Sequence, residues 1–373
     1  MSPHSLARIA VVGAGGIGAA AHLPAVVSLS EEAELVAIVD LDETRRAEAG
    51  ERFGCRNLYG DMAVMQAEQR PDIVIVATPP HLHEPLSIQA MRAGAWVYCE
   101  KPLTGSLASA DRIIAAERET GQWTVSVSQF RYAGGSQQAR AALADGRWGR
   151  PLIGVAHTTW YRGPEYWDIP WRGKFATEFA GATTTQAYHA VDLLLWLMGG
   201  DWRTVSGIAD TLARPIEVED ASAAVVRFDS GAIATLLSTV LSSKQETRLQ
   251  VIAERATLDL DTLYLPQVDE WSLRRVDEEG QTVVSPDWPE PEPPLEVNAH
   301  RSQLRAMIAA WREGRVPEVT AADARGTLEF LTALYKSSAV GMPIARGDIA
   351  AGDPFYEALD AAGPSRAGVN AHV

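Results

Sequence analysis

Three parts of this 373-residue chain have the residue types and spacing to do chemistry: a glycine cluster at 13–18, Glu100-Lys101-Pro102, and an aromatic–cationic loop at 160–174 followed by His189. The glycines read Gly13-Ala14-Gly15-Gly16-Ile17-Gly18, a G-x-G-x-x-G pattern that follows the apolar run Ile9 to Val12. In such a pattern Gly13 permits the tight turn, Gly15 lets backbone approach a pyrophosphate, and Gly18 lets the next helix pack on the strand. The helix N-terminus offers unpaired N–H groups to phosphate. A second apolar strand, Leu35 to Val39, runs into Asp40, whose carboxylate suits the hydroxyls of an adenosine ribose. Strand, glycines, helix, strand and acid in this order predict a dinucleotide site. Asp40 favours NAD over NADP, because a carboxylate repels a 2′-phosphate; Arg45 and Arg46, in the next helix, leave room for some NADP tolerance.

Two further stretches end apolar strands. Asp72 to Thr78 runs into Pro79-Pro80-His81, and Trp96 to Glu100 runs into Lys101-Pro102. Ligands of open α/β sheets sit at that carboxyl edge, so Thr78, Pro79, His81, Glu100 and Lys101 are expected beside the dinucleotide. The loop from Trp160 to Lys174 packs five aromatics and three cations into fifteen residues. Flat rings suit the apolar face of a sugar, and arginine forks suit carboxylate, sulfonate or phosphate. Tyr161, Arg162, Trp171, Arg172 and Lys174 are therefore candidate substrate residues, against the alternative of a packed surface loop. Gln129 and Arg131, at the end of a sixth strand, are candidates for the same pocket. His22 and His83 read as helix-end or loop hydrogen-bonders, and Cys99 as a buried, inert thiol. No His, Cys and Asp cluster has metal-ligand spacing, so no metal is expected.

The elements that must hold these residues fall into two patterns. Up to residue 132 strands and helices alternate, as in a Rossmann-type doubly wound parallel sheet. From 133 to 363 an α+β domain is expected. Its strands alternate as in an open, largely antiparallel sheet (152–160, 203–213, 221–229, 231–241, 246–254, 256–260 and 271–276), with one long helix from Thr183 to Met198 and closing helices at 298–313 and 321–340. A proline-rich loop near 286–294 reads as a crossover, and 364–373 as a flexible tail. The net charge is −15, from 33 basic and 48 acidic residues, which argues against a nucleic-acid or anionic-membrane surface. Two cysteines give no disulfide framework and fit a reducing cytoplasm. The apolar stretch from Ile9 to Leu29 imitates a signal peptide, but its glycines and strand–turn–helix pattern argue against one.

The order G-x-G-x-x-G, strand-end Asp40, Thr78-Pro79-Pro80, Glu100-Lys101-Pro102 and then the helix carrying His189 and Asp192 resembles the Gfo/Idh/MocA oxidoreductase family over nearly the whole chain. The resemblance implies a nicotinamide dinucleotide in the first domain and a second-domain sheet whose outer face pairs subunits, hence a homo-oligomer. It also implies that Lys101 and His189 are catalytic. A lysine near a cationic nicotinamide has its charged form disfavoured, and the ordinary pKa of histidine, near 6.5, suits proton exchange close to neutrality. The chain departs from the family in one place. An Asp commonly stands four residues before the histidine; here Thr185 stands there, with Gln186 beside it, and neither is a carboxylate. Both are candidate substrate contacts. Asp192, one turn beyond His189, either orients it or is packing.

The resemblance implies NAD-dependent hydride transfer at a ring carbon of a sugar, sugar derivative or cyclic polyol. The absent carboxylate and the aromatic–cationic loop raise an alternative, a redox-neutral NAD-dependent glycosidase working by oxidation, elimination, hydration and reduction, with an acidic sugar glycoside among its candidate substrates. A silent sugar or dinucleotide sensor is a third reading, opposed by the presence of both Lys101 and His189.

Overall fold

The computed structural model describes residues 6–263, 271–284 and 299–360. They fall into two compact units. The first contains residues 6–104, 108–129 and 299–325; the second contains 105–107, 130–263, 271–284 and 326–360.

The first unit is built on six parallel strands: β1 (Ala7–Val12), β2 (Ala33–Val39), β3 (Leu58–Tyr59), β4 (Ile73–Val76), β5 (Trp96–Cys99) and β6 (Thr124–Ser126). Their order is β3-β2-β1-β4-β5-β6. The central strands are rich in Val, Ile and Ala because both faces are covered; every residue of β4 is fully buried. Asp42 and Asp61 cap the helices Glu43–Phe53 and Met62–Gln69, accepting from the N–H groups of Arg45 and Val64.

The units do not follow a single cut near residue 132. After the second sheet the chain returns, and the helix Ala299–Glu313 joins the first unit. Its apolar stripe, Leu304, Met307, Ile308 and Trp311, shares a core with Ile9, Leu23 and Tyr98. Gln303 on the same face accepts from Tyr98 Oη and the Ser128 N–H and donates to the Ser126 carbonyl. The proline-rich loop and the tail at 364–373 lie outside the described residues.

The second unit carries nine strands: β7 (Pro151–Tyr161), β8 (Trp202–Asp210), β9 (Ala221–Phe228), β10 (Ile233–Thr239), β11 (Leu241–Ala253), β12 (Thr257–Leu260), β13 (Trp271–Val276), β14 (Thr282–Val284) and β15 (Ile344–Ala345). The order is β14-β13-β12-β11-β7-β10-β9-β8-β15. Only β10 and β7 pair in parallel; the other ladders are antiparallel. Burial alternates residue by residue along β9 and β10, as one covered face demands. The helix Tyr188–Leu197 lies on the covered face of β7. Gly154 makes the close approach possible: a Cβ there would stand 2.9 Å from Leu194 Cδ1.

Sequence pattern predicts one helix from Thr183 to Met198; the structure breaks it. A short turn, Ala182–Thr185, is separated from Tyr188–Leu197 by Gln186 and Ala187. Buried Glu219 holds the short turn, accepting from the N–H groups of Gly181 and Thr183. Similarly, β6 stops at Ser126, so Gln129 and Arg131 lie on the 3₁₀ turn Gln129–Tyr132 and not on a strand end.

Candidate active site

Strand register gathers the first half of the site. Val12 pairs with Val76, and Val76 with Cys99, so the residues that follow these three positions stand together at the carboxyl edge of the sheet. They are the Gly13–Gly18 loop, Ala77–Pro79 and Glu100–Lys101.

Gly13 has φ +102°, and a Cβ there would come within 2.4 Å of the Ala77 carbonyl oxygen. At Gly18 a Cβ would lie 2.0 Å from the Gly13 carbonyl oxygen. Both positions require glycine for the fold itself. Gly15 and Gly16 differ, since no atom lies within 4 Å of where their Cβ would be. That open cradle suits a pyrophosphate, and Ile17 beside it is exposed. Thr78 Oγ1, at the same edge, is buried with no hydrogen-bond partner among the described residues. An unmatched buried hydroxyl is the kind of group a bound ligand satisfies.

Asp40 ties the glycine loop to the end of β2. Its Oδ2 accepts the Ala14 N–H at 2.8 Å and its Oδ1 accepts the Asp42 N–H at 2.9 Å, so the carboxylate fixes the glycine loop. Arg45 lies 3.4 Å from Oδ1.

His83 braces the two loops of the edge. Its Nε2 faces the Thr78 carbonyl at 2.9 Å and its Nδ1 the Pro102 carbonyl at 2.8 Å. Burial disfavours its charged form and lowers its pKa, against both hydrogen bonds. His81 sits half-buried in the 3₁₀ turn Pro80–Leu82. The thiol of Cys99 is pushed far up by burial, in keeping with an inert role.

Glu100 is the centre of a cluster that sequence spacing did not signal. Its Oε1 lies 2.8 Å from His22 Nε2 and 3.8 Å from His300 Nε2, and its Oε2 accepts the Lys101 N–H at 3.0 Å. Burial raises the carboxyl pKa, but the bond to His22 and the charges of His22, His300 and Lys101 outweigh it and hold the group below the usual carboxylate range. His300 is lowered to about 4, by burial first and then by His22. The ligand atoms of His22, Glu100 and His300 lie within 4.8 Å of one another, the only such metal-sized group of three or more among the described residues. Glu100 is already matched by His22 and the Lys101 N–H, while His300 stands beyond hydrogen-bond distance and His22 Nδ1 is buried with no partner among the described residues. The three residues are far apart in sequence, so only the return of the helix Ala299–Glu313 brings them together.

The second unit carries the other candidates. His189 occupies the first turn of Tyr188–Leu197, 5% exposed, with its ring edge-on to Phe130 at 5.2 Å and to Tyr188 at 5.7 Å. Of the two readings of Asp192, the structure shows packing. Its carboxylate takes a bidentate bond from Arg131, at 2.6 and 2.7 Å, and a third from Thr327 Oγ1 at 2.9 Å. Arg131 is thus paired with Asp192, while Gln129 is buried.

The aromatic–cationic loop folds around Tyr166. Arg172 stacks on the Tyr166 ring at 3.9 Å and on Trp171 at 4.3 Å; Arg162 stacks on Trp160 at 4.6 Å and on Tyr166 at 5.1 Å. Tyr166 Oη accepts from Arg172 and from Gln186 Nε2. Arg172 also reaches Glu178 at 3.0 Å, and Glu178 accepts the Thr185 hydroxyl at 3.2 Å and the Gly173 N–H at 2.6 Å. Glu178, 2% exposed, has its pKa raised by burial against these bonds. Arg162 bonds neutral acceptors, the Tyr161 carbonyl and Gln245 Oε1. Tyr161 is exposed under Arg214, and Lys174 Nζ binds the Pro170 carbonyl. Sequence reasoning overlooked Glu178 and Tyr166, whose one signal was that Tyr166 sits inside the aromatic loop.

Comparison with known proteins agrees with this geometry. Residues 7–129 match the oxidoreductase family with an NAD-binding Rossmann fold, and residues 136–259 match the GFO/IDH/MocA C-terminal domain. D-apiose dehydrogenase of Paraburkholderia graminis is 27% identical over 325 residues, covering 84% of this chain and 83% of that protein. Inositol 2-dehydrogenase 2 of Paenarthrobacter aurescens is 27% identical over 326 residues, covering 84% and 90%. Among solved structures, the WlbA dehydrogenase of Bordetella pertussis, in complex with NADH and UDP-GlcNAcA, is 29% identical with a TM-score of 0.81, covering 91% of this chain and 98% of that one.

Proposed function

Because this chain belongs to the GFO/IDH/MocA oxidoreductase family, we propose that it oxidises a ring-carbon hydroxyl of a sugar, sugar derivative or cyclic polyol. Its class is that of the NAD-dependent sugar and polyol dehydrogenases. The observation that carries the reading is the register of β1, β4 and β5, which sets Lys101 at the same sheet edge as the open cradle of Gly15 and Gly16. Bound NAD supplies a hydride acceptor there. The chain's own groups do the rest: Gly13–Gly18 and Asp40 hold the dinucleotide, Thr78 offers its unmatched hydroxyl, and Lys101 and His189 manage the proton of the substrate hydroxyl.

The glycosidase alternative rests on the missing carboxylate at position 185 and on the aromatic–cationic loop. A buried carboxylate, Glu178, is bonded to the Thr185 hydroxyl, which weighs against the first ground and leaves the second. An anionic sugar is the finer reading of the loop. Arg172 is matched by Glu178, whereas the hydrogen bonds of Arg162 among the described residues go to uncharged oxygens, which makes Arg162 the cation offered to an acidic group. The Bordetella relative, held with UDP-GlcNAcA, is in keeping with this. A panel of neutral and acidic sugars with NAD tests both points, following NADH formation and aglycone release together. NADH accumulation with a sugar supports oxidation; aglycone release with no net NADH sinks it in favour of the glycosidase. Equal rates on neutral and acidic sugars would remove the role of Arg162.

A second copy of the chain is the proposed partner. The outward positions of β7, β8, β9 and β10 carry Ile153, Ile208, Val225, Ile233 and Leu237, all exposed, and contiguous apolar surface of this kind marks an interface. Sedimentation showing only monomer at micromolar concentration would refute it.

A further inference from the structure

We propose that Glu178 is a positioning residue of the active site, supplying through the Thr185 hydroxyl and the Arg172 guanidinium the carboxylate that position 185 itself lacks. The inference rests on the dehydrogenase reading above and names a residue for it.

The argument begins with where the network ends. Tyr166, Arg172, Gly173 and Glu178 come from the loop and its two short helices, and they tether Thr185 and Gln186, the residues at the break just before the helix of His189. The N–H groups of Thr185, Gln186 and Ala187 turn back onto the Gly181 and Ala182 carbonyls, and side-chain bonds hold the same break from the loop. Gln186 is held by Tyr166 Oη at 2.8 Å and Thr185 by Glu178 Oε1 at 3.2 Å. A weaker contact, 3.4 Å, joins the Thr185 hydroxyl to the Ala180 carbonyl.

A hydroxyl has one proton and two lone pairs. Donated to a carboxylate, that proton makes the stronger, charge-assisted bond, and Thr185 Oγ1 then acts toward any further partner as an acceptor made more basic by the negative charge behind it. An Asp at 185 would present an acceptor to a substrate hydroxyl directly; Glu178 and Thr185 present one in two steps. Stability alone gives little reason for the arrangement, since a buried ion pair is commonly no better than apolar packing of the same volume. The charged and titratable groups facing Glu178 are Arg172 and Tyr166, with Arg162 beyond the tyrosine ring. Burial raises the Glu178 pKa, so its charge is open to titration on the acid side of the working range.

Four variants test the proposal, using a sugar that the wild-type enzyme oxidises. Glu178→Gln keeps the shape and removes the charge. It is expected to lower kcat at least tenfold, leave the KM for NAD unchanged, and alter the acid limb of the kcat/KM profile. Thr185→Val is expected to give a similar loss, and the double variant no more than either single one. Thr185→Asp placed in the Glu178→Gln background should recover part of the rate. A Glu178→Gln enzyme with wild-type kcat and pH profile overturns the proposal. So do losses that multiply in the double variant, because independent packing defects add in free energy. Should Glu178→Gln fail to fold, Thr185→Val decides: unchanged kcat overturns the proposal and a tenfold loss supports it. A wild-type protein that reduces NAD with no sugar is a separate result; it defeats the functional reading, and the inference falls with it.

Discussion

Replacing Gly15 and Gly18 separately by alanine divides the glycine loop into the part that serves the fold and the part that serves the ligand. At Gly18 the new methyl would stand 2.0 Å from the Gly13 carbonyl oxygen and 3.0 Å from its carbon, both backbone atoms that cannot rotate away. The loop must shift, and overpacking of this kind costs about 1–3 kcal/mol. At about 2–4 °C per kcal/mol, the melting temperature of the cofactor-free protein should fall by several degrees. At Gly15 the methyl meets nothing within 4 Å, and φ is not in the left-handed region. Fold stability should hold or rise, by about 0.4–1 kcal/mol, through lost freedom of the unfolded chain. The methyl does enter the space assigned to the pyrophosphate. A steric cost of about 1–3 kcal/mol there corresponds to weakening of NADH binding by about 5- to 150-fold. Calorimetric titration with NADH and thermal melts without it read the two effects apart. Wild-type affinity in Gly15→Ala would show that the pyrophosphate does not cross this glycine, and an unchanged melt in Gly18→Ala would refute the packing argument.

Asp40→Ala should relax the preference for NAD over NADP and, by releasing the Ala14 N–H, weaken binding of both; an unchanged ratio of the two affinities would show that Asp40 does not read the ribose. Asp192→Asn removes the buried carboxylate that pairs with half-buried Arg131, and breaking a buried pair costs about 3–5 kcal/mol, measurable as a large fall in denaturation midpoint. His300, at about 4 in the fold against about 6.5 when unfolded, is a base with a depressed pKa. The unfolded chain therefore binds the extra proton, and stability is present above about 6.5 and lost as pH falls toward 4. The full loss is about 3 kcal/mol at 1.36 kcal/mol per pKa unit. His300→Gln should flatten the dependence of melting temperature on pH between those values, and an unchanged slope would exclude His300 as its source.

Much of the fold is legible in the sequence because its signals are local. The Val and Ile run of β4 announces a strand covered on both faces, and the alternation along β9 and β10 announces a sheet with one face buried. Gly13 to Gly18 and Asp40 are readable for the same reason: the motif lies within one strand–helix–strand unit. What stays hidden depends on contacts between distant segments. Nothing near residue 300 says that its helix returns to the first unit to place His300 by Glu100. Glu178 is only seven residues before Thr185, yet no helical or strand spacing says that the short turns between them fold back to bond the two side chains. The helical pattern from Thr183 onward runs straight through Gln186 and Ala187, yet Tyr166 and Glu219 hold the chain in two pieces. Arg131, chosen for a substrate pocket by its position after a strand, is bonded to Asp192 by tertiary packing that no spacing rule describes.

Transfer of deuterium from a carbon-labelled sugar to the cofactor tests the central claim most directly. With a sugar deuterated at the oxidised ring carbon, the account predicts label on the nicotinamide ring of NADH from the wild-type enzyme. Lys101→Ala and His189→Ala should bind NADH nearly as well as wild type yet transfer almost none. Label that washes into solvent instead, or full transfer by both variants, would contradict it.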